Sequence, residues 1–221
     1  MSGLERLIHR ITTGDILSEV DSKFSRTLTA WLSIGSTYTY LTVKRLRTKI
    51  NDLNLKINFH PFSVRTVMKD MDNIPFPPSK KPKVDHMWRD IQRRSILYNI
   101  EVPKVPVPYP INNLDLANCV ALVGVNEGWI LEYLEQAYKL WFIDHIEAGS
   151  EGNLNDSFNK INLDSEKIIE TANSSKILQQ YEQNTQTAKD LSVFGSPTFI
   201  VENELFWGDD RLEDAIEWAR K

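Results

Sequence analysis

One short stretch near the C-terminus limits the possible folds of this chain more than any other. Residues 193–201 read VFGSPTFIV, and residues 202–211, which follow at once, read ENELFWGDDR. A polar helical segment ends at a glycine, a proline precedes an apolar strand, and a second strand leads to a glycine and two acids that open a last helix. The pattern predicts a strand–turn–strand–helix unit that begins directly after Pro197.

The bond between Ser196 and Pro197 is the first candidate functional feature. About 5% of X-Pro bonds in folded proteins are cis, and we predict a cis bond here because the proline stands immediately before a strand. Such a bond would turn the main-chain N–H and C=O groups of Ser196 outward, where they could pair with an extended peptide ligand. The alternative is a trans proline that only begins the strand.

Composition predicts one good-sized core. The chain has 221 residues, of which 41% are hydrophobic and 25% charged, enough for a single core with or without an inserted domain. A net charge of −4 without an unbalanced basic cluster predicts no nucleic-acid partner. The apolar run at residues 119–125 falls short of the roughly 20 residues that span a bilayer, and residues 1–20 lack a secretory signal. We therefore predict a cytoplasmic protein that does not contact membranes.

The chain has a single cysteine, Cys119. One cysteine can form no intramolecular disulfide and no Cys-x-x-Cys redox motif. Because Cys119 lies among apolar residues of a predicted helix, we expect a buried and inert thiol. We also predict that the protein has no metal site.

The first half of the chain has the pattern of a strand, a helix and a second strand. Residues 27–34 are rich in β-branched and aromatic side chains, and Gly35 ends that run. Ser36 and Thr37 are candidates to cap a helix that runs to about Asn51, and residues 53–59 alternate as a half-buried strand does. A unit of this length predicts two parallel strands joined by a right-handed crossover.

The middle of the chain is predicted to be mostly helical. A helix over residues 84–98 is expected to pack through Met87, Trp88, Ile91 and Leu97, and four prolines make residues 102–110 an extended loop. From 112 to about 190 the pattern predicts two helices that separate near Gly128, a helix start at Asp164 and a helix over 177–191, with a loop at 149–156. Residues 1–26 are predicted to be a helical extension.

Three separated blocks resemble one known group of proteins. Residues 33–41 read SIGSTYTYL, residues 61–75 read PFSVRTVMKDMDNIP, and residues 193–213 read VFGSPTFIVENELFWGDDRLE. In this order and spacing they resemble the kappa-class glutathione transferases and the 2-hydroxychromene-2-carboxylate isomerases, the glutathione-using branch of the DsbA-like superfamily. The resemblance covers about residues 27–221. It implies an α/β, thioredoxin-like fold whose halves, 27–110 and 191–221, are separated by a large inserted helical domain over 111–190.

The resemblance also implies a glutathione site with Ser36 as its catalytic residue. In that group a serine at this position binds the sulfur of glutathione, so Ser36 is expected to donate a hydrogen bond to the thiolate. An asparagine and a lysine beside the peptide backbone of glutathione correspond to Asn73 and Lys69. Thr37 stands where the group usually has proline. Taken alone, Ser36 could also be no more than a helix cap.

The end of the chain is expected to hold the rest of glutathione. The resemblance implies that the main chain at Ser196 and Pro197 pairs with the ligand's cysteine residue. Asp209 and Asp210 are both expected to hold its γ-glutamyl end. Asp210 takes the place of an acid that meets the ammonium group, and Asp209 replaces a neutral side chain beside it. The alternative is that both acids only complement the positive end of the last helix.

Three functions fit these observations. The first is a glutathione-dependent isomerase of the 2-hydroxychromene-2-carboxylate isomerase type, and the second is a kappa-like glutathione transferase. Both would act on a small aromatic or electrophilic substrate, and the resembled families are usually homodimers. The third is a diverged DsbA-like module that binds ligands or partners without catalysis, which the departures at Thr37 and Asp72 leave open.

Overall fold

The computed structural model describes residues 27–74 and 76–221. The predicted extension over residues 1–26 lies outside the described residues. The elements in chain order are β1 Leu28–Leu32, α1 Thr39–Leu53, β2 Ile57–Pro61, α2 Val64–Asp70, α3 Lys81–Leu97, α4 Leu114–Glu127, α5 Ile130–Phe142, α6 Glu151–Ile161, α7 Ser165–Ala172, α8 Ser175–Asp190, β3 Thr198–Val201, β4 Glu204–Trp207 and α9 Leu212–Ala219. Short 3₁₀ turns at Pro78–Lys80 and Asp209–Arg211 precede α3 and α9.

The described strands form one sheet in the order β2-β1-β3-β4. β1 pairs in parallel with β2, so that Leu28 lies opposite Ile57. β1 pairs antiparallel with β3, and β3 pairs antiparallel with β4. The predicted parallel strand–helix–strand unit and the predicted terminal hairpin are therefore confirmed, and helices α3–α8 separate them in the chain.

Alternation along β1 divides the core between the two faces of the sheet. Leu28, Ala30 and Leu32 belong to the larger apolar cluster, which includes buried residues of α1, α4, α5 and α9. Trp31 belongs to a smaller cluster on the opposite face, together with Phe62, Val64, Val67, Ala188 and Val193. The sheet is thus covered on both faces.

The helices between the two pairs of strands supply most of the larger core. Tyr40 of α1 stacks on Phe142 of α5, with ring centroids 4.4 Å apart.

Cys119 of α4 is buried, and burial raises the pKa of its thiol to about 12, which agrees with an inert thiol. Within residues 27–74 and 76–221, no helix has both the length and the apolar character needed to cross a bilayer.

The predicted strand over residues 53–59 is placed too early. Leu53 is the last residue of α1, and Asn54 ends that helix in the left-handed conformation. β2 then runs from Ile57 to Pro61. The alternation was correctly recognised, but Leu53 continues the apolar side of the helix instead of beginning the strand.

Two predictions about the helices are wrong. Residues 149–156 are not a loop, because the hydroxyl of Ser150 accepts the N–H of Asn153 and so caps α6. Leu97 is not packed but 75% exposed. It follows the buried Ile91 by six positions, which at 3.6 residues per turn places it away from the packed side of α3.

Asn118 of α4 holds the segment that follows β1. Its Oδ1 accepts the main-chain N–H of Ile34 at 2.8 Å, and its Nδ2 donates to the carbonyl oxygens of Ile34 at 2.9 Å and Leu114 at 2.8 Å. The side chain is buried, so water does not replace these bonds if the amide is removed.

We expect Asn118→Ala to lower the free energy of unfolding by about 3 kcal/mol, because it leaves the buried N–H and C=O of Ile34 without partners. Urea unfolding followed by circular dichroism measures the change. The control is Asn126→Ala, which removes an exposed amide paired with Gln180 and should cost less than about 0.5 kcal/mol. Similar losses in the two variants would contradict the role given to Asn118.

Candidate active site

Ser36 lies in the turn between β1 and α1. The turn needs Gly35, whose φ of 126° is in the region that favours glycine. The N–H of Ser36 donates to the carbonyl of Ser33 at 3.1 Å, and the Tyr138 hydroxyl donates to the carbonyl of Ser36, also at 3.1 Å. The backbone that carries Ser36 is therefore held from two sides.

The structure excludes the reading of Ser36 as a helix cap. α1 begins at Thr39, and Tyr38 occupies the cap position, where its side chain makes no capping hydrogen bond. The hydroxyl of Thr37 donates to the sulfur of Met87 at 3.1 Å. The hydroxyl of Ser36 instead donates to the main-chain carbonyl of Ser196, with 2.5 Å between the oxygens. Ser36 therefore faces the loop that precedes β3.

That loop is tied to both β1 and α1 through the side chain of Ser196. The Ser196–Pro197 bond is cis, as predicted. The Ser196 hydroxyl accepts the main-chain N–H of Ser33 at 2.8 Å and lies 3.0 Å from the hydroxyl oxygen of Thr39. Ser196 is 8% exposed, so this network of hydroxyl groups is largely shielded from water. It fixes the Ser196 carbonyl opposite Ser36.

The turn after β4 lies beside the same loop. The N–H of Gly208 donates to the carbonyl of Pro197 at 3.0 Å. Asp209 is 3% exposed, and its carboxylate lies 2.8 Å from the guanidinium of Arg94. Arg45 donates to the main-chain carbonyl of Asp209. Burial raises the pKa of Asp209 to about 6, against the opposite effect of the two arginines.

The two neighbouring acids therefore differ in their surroundings. Asp209 is bound inside the protein by two arginines, whereas Asp210 is exposed and pairs with Arg211 at 3.1 Å. Only the carboxylate of Asp210 faces solvent and can reach a ligand without breaking a buried ion pair.

Lys69 and Asn73 lie apart from this network. Both are exposed, Lys69 near the end of α2 and Asn73 in the segment after it. The main-chain N–H of Asn73 donates to the carbonyl of Met68 at 2.9 Å. Among residues 27–74 and 76–221, neither side chain has a hydrogen bond or an ion pair. Their suggested contacts with a ligand remain predictions.

Two aromatic rings stand beside the loop. Phe194 and Trp207 meet edge to face with centroids 4.8 Å apart, and Trp207 is 51% exposed. The indole packs so closely on Gly195 that a side chain at that position would collide with it. An exposed aromatic surface thus lies against Gly195, the residue that precedes Ser196.

Five polar residues of this region were not predicted from the sequence: Ser33, Thr39, Tyr138, Arg45 and Arg94. Ser33 is a polar side chain in an apolar strand, a signal that could have singled it out, whereas Arg45 and Arg94 stand among other charged residues and nothing nearby distinguishes them. Nothing in the sequence says which distant residue each one contacts.

The described residues offer little elsewhere that resembles a site. No group of three or more His, Cys, Asp or Glu side chains among them is placed to hold a metal ion. A shallow depression of about 430 Å³ lies against β2 and includes Phe59 and His60. It contains no residue of the Ser36 and Ser196 network, so it does not belong to the candidate site.

The fold and the site define a thioredoxin-fold protein in which hydroxyl groups surround a cis-proline loop. The family model described as a DSBA-like thioredoxin domain matches residues 27–217, and the chain belongs to that family. The fold class predicted from the sequence is therefore confirmed.

Relatives within this superfamily carry the name that the sequence resemblance suggested. The chain is 24% identical to a 2-hydroxychromene-2-carboxylate isomerase of Sphingobium xenophagum over 194 residues, which cover 86% of this chain and 95% of the relative. It is 26% identical to one of Pseudomonas putida over 179 residues, or 80% and 86% of the two chains. A solved 2-hydroxychromene-2-carboxylate isomerase structure superposes with a TM-score of 0.74 at 24% identity, covering 87% of this chain and 95% of that one.

The buried Asp209 gives a prediction about pH. Its pKa in the folded protein lies above the ordinary value of 3.8, so the folded state binds the proton more tightly than the unfolded state. Stability is therefore lost as the pH rises from about 4 through 6. Relative to Asp209→Asn, whose side chain does not ionise, we expect the wild-type free energy of unfolding to fall by up to about 3 kcal/mol between pH 4 and 7.

Urea unfolding of the wild type and Asp209→Asn at pH 4, 5, 6 and 7 measures this difference. Asp210→Asn removes the same charge from an exposed side chain, so it should change stability by less than about 1 kcal/mol throughout. A wild type that gains stability over Asp209→Asn as the pH rises would show that the arginines outweigh burial.

Proposed function

We propose that this protein is a glutathione-dependent isomerase of the 2-hydroxychromene-2-carboxylate isomerase type, in which Ser36 stabilises the glutathione thiolate. The observation that carries the proposal is the 2.5 Å hydrogen bond between the Ser36 hydroxyl and the Ser196 carbonyl. It places a hydroxyl donor next to main-chain groups suited to pair with a peptide. The curated relatives named as isomerases support the type of reaction.

The residues present fit glutathione at three points. The Ser36 hydroxyl would meet the sulfur, the main chain of Ser196 would pair with the cysteine residue, and the exposed Asp210 would meet the ammonium group. The hydrogen bond from the Gly208 N–H to the Pro197 carbonyl keeps the turn with Asp210 next to the Ser196 main chain. Asp209 replaces a neutral side chain of the resembled group, but its charge is matched by Arg94 and Arg45.

Bound glutathione would supply a thiolate that adds to an unsaturated carbon of the substrate, allows rotation about the former double bond and leaves unchanged. Ser36 donates a hydrogen bond that favours the ionised thiol over the neutral one. The first turn of α1, whose N–H groups carry partial positive charge, acts in the same direction. Tyr138 keeps the backbone of Ser36 in place through its bond to the Ser36 carbonyl.

The exposed aromatic pair supports an aromatic substrate. Phe194 and Trp207 present ring surface beside the loop where the sulfur would lie. Ring contacts with a bound aromatic molecule would each contribute about 0.5–1.5 kcal/mol beyond the burial of area.

The same thiolate site would also serve a transferase, and an assay separates the two. An isomerase leaves the glutathione concentration unchanged as 2-hydroxychromene-2-carboxylate reacts, whereas a transferase consumes one glutathione for each electrophile. Calorimetric binding of glutathione without turnover of either substrate class would indicate the non-enzymatic module. The homodimer and the cytoplasmic location remain predictions.

We expect Ser36→Ala to raise the pKa of protein-bound glutathione by about one to two units. One hydrogen bond to a charged group contributes roughly 1.5–3 kcal/mol, and each pKa unit corresponds to about 1.4 kcal/mol. Thiolate absorbance in the ultraviolet, followed against pH at saturating glutathione, gives the value. Isomerisation at pH 7 should fall in proportion to the thiolate fraction.

A matched control uses the same substitution at another hydroxyl. Ser174→Ala removes the cap of α8, whose hydroxyl accepts the N–H of Ile177. It should lower stability by about 1 kcal/mol without moving the pKa of the bound thiol. If both variants leave that pKa where it is in the wild type, Ser36 does not bind the sulfur.

We expect Asp210→Asn to weaken glutathione binding by about tenfold, because a carboxylate that meets an ammonium group contributes on the order of 1.5 kcal/mol. Binding of a glutathione analogue without the amino group should not change. Asp209→Asn is the control, since Arg94 and Arg45 already hold that carboxylate. If Asp210→Asn weakens the binding of glutathione and of the analogue equally, Asp210 does not bind the ammonium group.

A further inference from the structure

We infer that the hydrogen bond between the Ser36 hydroxyl and the Ser196 carbonyl selects which thiols the protein can ionise. The Ser36 hydroxyl can turn to a bound sulfur without loss only if the ligand brings an amide N–H that takes its place on the Ser196 carbonyl. This inference rests on the proposed function, because it concerns the same sulfur site. The specificity for thiols would then depend on one exchange, in which a ligand N–H replaces the Ser36 hydroxyl as the donor to the Ser196 carbonyl.

The exchange follows from a count of protons. A serine hydroxyl has one proton, and the structure shows that of Ser36 directed to the Ser196 carbonyl at 2.5 Å. A hydroxyl that donates to sulfur no longer donates to that carbonyl. Ser196 is 8% exposed, so an acceptor left without a donor there costs free energy. Stabilisation of the thiolate is reduced by that cost.

The surrounding bonds prevent the two groups from avoiding the exchange by moving apart. The Ser196 side chain is fixed by the N–H of Ser33 at 2.8 Å and by Thr39 at 3.0 Å. The backbone of Ser36 is fixed by Tyr138 at 3.1 Å. The movement that remains is rotation of the Ser36 hydroxymethyl group about its Cα–Cβ bond. The Ser196 carbonyl therefore stays in position, ready to accept from whichever donor replaces Ser36.

A cysteine residue within a peptide carries both groups that the exchange needs. Its amide N–H and its thiol branch from the same Cα, so one ligand residue can donate to the Ser196 carbonyl and place its sulfur at Ser36. Thiols without that N–H would bind and still leave the carbonyl unsatisfied. The protein should therefore distinguish such thiols by the pKa of the bound sulfur, even where their shapes are alike.

Two ester analogues of glutathione test this inference. In the first, an ester oxygen replaces the amide N–H between the γ-glutamyl and cysteinyl residues, which removes the N–H next to the thiol. In the second, the ester replaces the amide between cysteine and glycine, so the N–H next to the thiol remains. The thiol pKa of each bound ligand is measured by thiolate absorbance, and the affinity by calorimetry, with wild type and Ser36→Ala.

With the wild type we expect the bound thiol of the first ester to have a pKa about one unit above that of bound glutathione, which corresponds to a tenfold smaller thiolate fraction. The bound thiol of the second ester should have the same pKa as that of glutathione. With Ser36→Ala the three ligands should titrate together, because no hydroxyl is left to exchange. Equal pKa values for the first ester and glutathione on the wild type would overturn the inference. So would a difference that persists in Ser36→Ala, since the N–H would then act on the sulfur without Ser36.

The two proposals fail in different ways. Absence of glutathione binding, or a bound glutathione whose thiol titrates as it does in solution, overturns the proposed function and this inference with it. Normal ionisation of bound glutathione together with an equally ionised first ester overturns only the donor exchange. Ser36→Thr keeps a hydroxyl at this position, and it should restore the separation between the first ester and glutathione.

Discussion

The bond between the Ser33 N–H and the Ser196 hydroxyl is the constraint on which the candidate site depends. It joins residues that are 163 positions apart in the chain. Ser33 makes three further contacts: its carbonyl accepts the N–H of Ser36 and lies 3.3 Å from the Tyr138 hydroxyl, and its hydroxyl accepts the N–H of Val64 at the start of α2. One buried residue thus fixes the end of β1, the turn with Ser36, the start of α2 and the loop before β3. The relative positions of Ser36 and Ser196 follow from it.

The order of elements could be predicted from the sequence because it depends on local pattern. The alternation of β2, the apolar side of α1 and the Gly-x-Pro before β3 are all present within short windows. The errors arose where a local signal was weak or shared. The polar composition of residues 149–156 suggested a loop, although Leu154 and the buried Phe158 stand four apart, as on one side of a helix. Tertiary packing decided that segment.

The candidate site could be predicted only in part, for a related reason. Ser36 was singled out through its neighbours in the sequence, and its contact with a ligand stays a prediction. The burial of Asp209 beside an exposed Asp210 was not predicted, because it depends on Arg94 and Arg45, which lie far away in the chain. The hydroxyl network was missed because Thr39 and Tyr138 are ordinary helix residues, given their role by residues far away in the chain. Contacts between distant residues are the information that one sequence lacks.

The arrangement of the sheet has a consequence for how the protein is made. β1 lies between β2, its near neighbour in the chain, and β3, which follows helices α3–α8. During synthesis the edge of β1 that β3 covers stays unpaired until residues 198–201 have left the ribosome, although the helices can already form their local contacts. Over the same interval the Ser33 N–H lacks its acceptor, the hydroxyl of Ser196. An interrupted chain would therefore expose both an open strand edge, prone to pair with other chains, and an unfinished site.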